Sequence, residues 1–202
     1  VQPCTYRFPV TDVSAFVALA NVLEGVGVSA YIGAAQYIAS RAYLTDAASI
    51  LAVEARHDAY IRGALMDPAL PPVPSAFDTP LGLSEAFSLA AQFVVECPSS
   101  NPPLPVTQFP TLTVLTNGTV SAGSAVEVST GGVALDAGGA TVYAAFPTLT
   151  GFLFGGVSGS DAGYSVQVPG QLLSGQQYVI LNRGNAGVTD ETVLAIGVIQ
   201  VA

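Results

Sequence analysis

The chain has no lysine and no tryptophan, a single histidine, a single methionine and two cysteines among 202 residues. Without lysine, a phosphate-binding loop of the Walker type is excluded. With His57 as the only imidazole, a Ser-His-Asp hydrolase would need it as the base. No G-x-S-x-G elbow is present to supply the nucleophile, and "GVSGS" at 156–160 reads as a strand turn. Positive charge is scarce as well: Arg7, Arg41, Arg56, Arg62 and Arg183 face fourteen carboxylates, for a net charge of −9. Such a surface repels phosphate backbones and anionic headgroups, so neither nucleic acid nor membrane is an expected partner. Charged residues make up only 9% and hydrophobic ones 50%, which excludes global disorder. The length suffices for one large domain or two modest ones.

Cys4 and Cys97 lie too far apart for a CxxC metal or redox motif. They are either a disulfide closing a long loop or two buried thiols. Asn117-Gly-Thr is an N-glycosylation acceptor, and the Ser, Thr, Gly and Pro content fits an extracellular, oxidising compartment, which favours the disulfide. The start at Val1 predicts a processed product whose leader has been removed.

The first half reads as helix. From Asp12 to Ala39, Glu24 is the only charge before Arg41 after the first residue, giving a run long and apolar enough to span a bilayer. A mid-run glutamate and the lack of basic flanks instead predict a central helix buried on all sides of a soluble bundle. A second helix is expected from an N-cap at Thr45 to about Met66, before Pro68, and a third from Ser84 to Cys97. "PSSNPPLPVTQFP" then reads as an extended, semi-rigid linker. Seven β-branched or aromatic runs between Gly, Asn, Asp and Ser turns follow, predicting a small antiparallel sandwich of immunoglobulin-like type. The expected organisation is α+β: helical domain 1–97, linker 98–110, β-sandwich 111–202.

Chemistry concentrates in "ILAVEARHDAYIRG", residues 50–63. Glu54 and His57, three apart, share one helix face. That is the Glu-x-x-His geometry by which four-helix bundles hold di-iron or di-manganese centres, together with a glutamate from a neighbouring helix. Glu24, flanked by Gly25 and Gly27 that permit close helix approach, is placed for that role. Two plainer readings stand beside it: His57 hydrogen-bonded to Glu54 as a structural residue, and Arg56 or Arg62 as the cation that compensates Glu24. Elsewhere, Glu127, Asp136, Asp161 and Glu191 are scattered as solvated charges rather than paired for glycoside hydrolysis. "LDAGGAT" and "GSDAGYS" are explained by hairpin turns without calcium. Tyr143, Phe146, Phe152, Phe154, Tyr164 and Tyr178 fit core positions as readily as a binding platform.

The run "PCTYRFPVTDVSAFVALANVLEGVGVSAYIGAAQYI", with "EARH", "FDTPL" and "CPSSNPPLPV", resembles the secreted fungal stress-response proteins of the ferritin-like family, relatives of plant desiccation-related proteins. The similarity spans about residues 1–110; "SGQQYVILNRG" and "VTDETVLAIG" resemble their C-terminal extension more loosely. It implies an iron or manganese pair with open positions for oxygen or peroxide chemistry, and Tyr31 and Tyr60 as candidate redox-active neighbours. The chain carries one glutamate and one Glu-x-x-His of the two sets such a bundle needs, and the first helix pair is missing. A homodimer, a docked N-terminal helical fragment, or a site that has been lost are the three ways to account for this. The competing class is a metal-free secreted or cell-wall scaffold whose sandwich binds a partner or polysaccharide.

Overall fold

The structure, a computed structural model, describes residues 1–66, 71–73, 75–116, 118–160 and 163–202. Helix α1 spans Val13–Ala34. Asp12 caps it, its carboxylate accepting from the Ala15 amide at 2.8 Å. After a 3-10 turn at Ala35–Tyr37, α2 runs from Arg41 to Tyr60 and continues as a π-helical turn at Ile61–Leu65. Its cap is Ser40, not Thr45; the Thr45 hydroxyl instead donates to the Arg41 carbonyl inside the helix. Pro68 lies outside the described residues.

Helix α3, Leu83–Ala91, stops short of the expected Cys97. The β-branched pair Val94 and Val95 leaves helix for strand. Strand β2, Val94–Glu96, pairs antiparallel with β1, Thr5–Tyr6, and the Cys4–Cys97 disulfide fastens the two beside that pairing.

Seven further strands follow: β3 (Thr113–Val114), β4 (Ala125–Ser129), β5 (Val142–Thr148), β6 (Gly151–Ser160), β7 (Gly163–Gln167), β8 (Gly175–Arg183) and β9 (Val193–Val201). Their order is β3-β4-β7-β6-β5-β8-β9, every neighbouring pair antiparallel. Strand β6 pairs with β5 through Gly151–Gly156 and with β7 through Val157–Ser160, so it passes from one layer to the other. The layers β3-β4-β7-β6 and β5-β8-β9 reproduce the two-sheet arrangement of immunoglobulin-like sandwiches, as the strand pattern predicted. The segment before β4 also covers the β9 edge: Leu112 donates to the Ile196 carbonyl and Val120 to that of Gln200.

Between the layers lie Val126, Val128, Phe146, Val166, Val179, Leu181 and Ile199, all essentially inaccessible. A second cluster occupies the outer face of β5-β8-β9, where Ala145, Tyr178, Ile180 and Ile196 meet Val26 of α1 and Leu89 of α3. This layer is therefore buried on both faces. That explains why β9 is a nearly continuous hydrophobic run and why β8 carries the unbroken stretch Tyr178–Leu181 rather than an alternating pattern. Of the six aromatics weighed as a platform, Phe146, Tyr164 and Tyr178 are buried, and Phe152 is exposed.

Helix α1 is not buried all round. Only Asn21, Val26, Val28, Ser29 and Gly33 are fully covered, and Val13 and Phe16 stand in solvent. It remains the one helix among the described residues long and apolar enough to cross a membrane. Its glycines set the docking. A side chain at Gly25 would run into Gln176 of β8, one at Gly27 into the Glu54 carboxylate, and one at Gly33 into the Leu81 backbone. The end of the proline-rich stretch is pinned to α3: Thr107 and Phe109 donate to the Ser84 and Ser88 hydroxyls.

Candidate metal centre on the helix pair

Glu24 stands midway along α1 and His57 three residues before the end of α2. Their side chains meet across the seam, with His57 Nδ1 3.2 Å from Glu24 Oε1. The hydrogen-bonding partner of His57 is thus Glu24, not Glu54. Glu54 lies over Gly27, where the missing side chain leaves room for its carboxylate. Its Oε2 is buried without a hydrogen-bond partner. Burial raises the Glu54 pKa above the ordinary carboxylate value, the Glu24 charge adds to this, and His57 opposes it.

Arg62 does not compensate Glu24. It pairs with Asp58, one turn earlier, at 3.7 Å. Arg56 is exposed on the opposite side of the turn from Glu54. Tyr31 is half-buried and Tyr60 largely exposed.

Carboxylates and an imidazole suit a hard divalent ion in kind. In number they fall short. Among the described residues, no three His, Cys, Asp or Glu side chains are gathered so as to hold an ion within this chain.

The seam is open to solvent on the side away from the sandwich. Tyr43, Ile50, Val53 and Tyr60 of α2 are exposed and follow the 7-3-7 spacing of a helix-packing stripe on which His57 also falls. Phe8 and Val10 of the segment before α1, with Phe16, Leu19, Leu23 and Glu24 of α1, line an apolar groove of about 290 Å³. This face of the α1–α2 pair is thus largely apolar and exposed.

Residues 1–67, covering α1, α2 and the π-helical turn, match the family model of the ferritin-like domain. The match covers a third of the chain and stops before α3 and the sandwich. No curated protein matches the chain. The molecule is thus of α+β class, a ferritin-like helical segment followed by an immunoglobulin-like sandwich.

Sequence reasoning missed the pair Asp58 and Arg62. Arg62 is 1% exposed, the most deeply buried charge in the helical part. The opposite charges four apart, on the stripe of Leu51, Glu54 and Ala55, were the available signal. Asn117, the glycosylation candidate, lies outside the described residues, as does Asp161. Asp136 caps the turn at Gly138, and its backbone carbonyl accepts from Arg183.

Proposed function

We propose that the chain is one half of a ferritin-like assembly, in which a second copy covers the bare α1–α2 face and completes a dinuclear iron or manganese site. The carrying observation is the convergence of Glu24 and His57 across the seam, beside a Glu54 oxygen that is buried yet unpartnered. A buried acceptor with no donor is costly unless something occupies it. Two copies about a two-fold axis would contribute two Glu24, two Glu54 and two His57. That is the ligand complement of a bundle di-metal centre, four carboxylates and two imidazoles. The exposed stripe of Tyr43, Ile50, Val53 and Tyr60 would become core in the dimer.

In this arrangement Glu24 and Glu54 hold the negative charge that attracts the ions, and Gly27 lets the Glu54 carboxylate sit between the helices. A metal pair bound there supplies redox chemistry toward oxygen or peroxide. The disulfide supports an oxidising, extracellular or cell-wall setting. A secreted protein of the stress or desiccation type, as the sequence resemblance implies, suits that setting.

The second reading, a metal-free secreted scaffold whose sandwich binds a partner or polysaccharide, is favoured by one observation. Glu24 and His57 already satisfy each other without an ion. Elemental analysis with native mass determination on one sample separates the two. About two iron or manganese ions per dimer, lost in His57→Ala with the fold intact, supports the metal reading. A metal-free monomer after incubation with iron(II) and manganese(II) overturns it.

A further inference from the structure

The contact between Glu24 and His57 does not hold itself in place. The two side chains are 27% and 56% exposed within the chain, and an ion pair so open to water contributes little to fixing two helices. Among the described residues, helix α2 has none fully buried from Arg41 to Tyr60. Its π-helical continuation has one, Arg62. The docking of α2 thus converges on a single charged side chain, five residues beyond His57, that reaches into the sandwich.

From there a series of side-chain hydrogen bonds leads back to α1. Arg62 donates from Nη1 to Oε1 of Gln200 on β9 at 3.0 Å. Gln200 donates from Nε2 to Oε1 of Gln176 on β8 at 3.3 Å. Gln176 in turn gives its Nε2 to the Val22 carbonyl of α1 at 3.2 Å. Beside it, the Tyr178 hydroxyl donates to the Gly25 carbonyl at 3.0 Å and accepts from Gln176 at 3.2 Å. The ladder runs from the end of α2 across two sandwich strands and grips α1 at two carbonyls, two residues before Glu24 and one after it. The approach is close, since a side chain at Gly25 would overlap the Gln176 amide. Breaking one rung leaves the groups on either side of it unmet, so the rungs support one another.

We infer that the sandwich serves the helix pair as a brace, with Gln200 and Gln176 as positioning residues that set Glu24 against His57. This rests on the reading above only for its purpose, a preformed pair of ligands; the contact it explains exists without metal. Outer residues that hold first ligands near their working geometry are a general requirement of metal and catalytic sites. The brace also gives the sandwich a task that needs no external partner.

The only imidazole of the chain makes the test direct. A carboxylate only accepts, so the Nδ1 that faces Glu24 carries the proton in the neutral ring. Nitrogen-15 NMR of His57 in metal-free, mildly alkaline solution should show that one tautomer, with a nuclear Overhauser contact to the Glu24 side chain. Gln200→Met keeps an unbranched side chain and removes both of its bonds. It should lose the contact and return the ring toward the two-tautomer mixture of a free imidazole. Gln176→Met breaks the next rung and should do the same, so a fold failure in either variant leaves the other to decide. Val128→Ala opens space between the sandwich layers without touching the ladder, and should destabilise the protein while leaving His57 unchanged. A ring without the Nδ1 tautomer in the unmutated protein, a signature that survives both methionine variants, or one lost equally in Val128→Ala would overturn the brace. Manganese(II) titration of the unmutated protein addresses the metal reading separately. No binding there, with a His57 signature that still follows Gln200, would overturn the metal reading and support the brace.

Discussion

Removing the Tyr178 hydroxyl should loosen the helical segment from the sandwich. Tyr178 is 1% exposed, and its hydroxyl joins β8 to two positions of α1, Gly25 and Ser29. In Tyr178→Phe the ring remains and the apolar packing with it. Two hydrogen bonds to α1 disappear, each worth about 1 kcal/mol net. The Ser29 hydroxyl is left buried, although it is able to turn toward the carbonyl one helical turn back, which limits the penalty. Gln176 retains its bond to the Val22 carbonyl. The expected loss is therefore about 2–3 kcal/mol. Urea unfolding reads it through far-ultraviolet dichroism for the helices and through tyrosine emission, which no tryptophan obscures. Pairing the change with Ser29→Ala in a double-mutant cycle should give a coupling of about 1 kcal/mol. A loss below about 0.5 kcal/mol, or helices that already unfold separately in the unmutated protein, would refute the claim that the two parts share one core.

Gly33→Ala should destabilise by about 1–3 kcal/mol despite alanine's helix propensity, because the new methyl meets the Leu81 backbone, whereas Gly27→Ala displaces only a carboxylate tip. Thermal melts of the two variants check this, and equal effects would contradict it. Burial raises the Glu85 carboxyl pKa, with Asp190 adding to it, and Glu54 and Asp58 are raised as well. Stability from these groups is full below the ordinary carboxylate pKa and is lost as pH rises through the raised values. Mild acidification from neutrality should thus stabilise the fold, and Glu85→Gln should flatten that dependence in denaturant titrations at several pH values. Reducing Cys4–Cys97 should lower stability by roughly 4–5 kcal/mol on the chain-entropy account. Calorimetry with and without reductant measures this, and an unchanged transition would count against it.

The seven strands were legible because each is a β-branched or aromatic run between turn residues, and turn chemistry is local. The boundaries of α2 and α3 were not. Ser40 and Thr45 are both good caps, and only the turn after Tyr37 decides between them. Val94–Glu96 becomes strand because Thr5–Tyr6 lies alongside, a partner nearly ninety residues away. Glu24 and His57 were identified from spacing and from an isolated charge in an apolar helix. Their contact was not readable, since i,i+3 geometry favoured Glu54 as the partner of His57. The exposure of α1 followed from what is absent: its apolar length implied complete burial, but the chain supplies neighbours for only part of its circumference.

The bond between Cys4 and Cys97 also determines how the molecule carries load. If the two ends of the chain are pulled apart, tension enters at Cys4, just ahead of the first strand, crosses the sulfur bridge and continues into residue 98. The 93-residue separation it spans contains all three helices and the candidate centre. Some 310–330 Å of contour is held out of the line of force. A stretching experiment should lengthen the oxidised protein only by the sandwich and its tether, with the helix pair still folded on its short circuit. The missing length should appear when the bridge is cut.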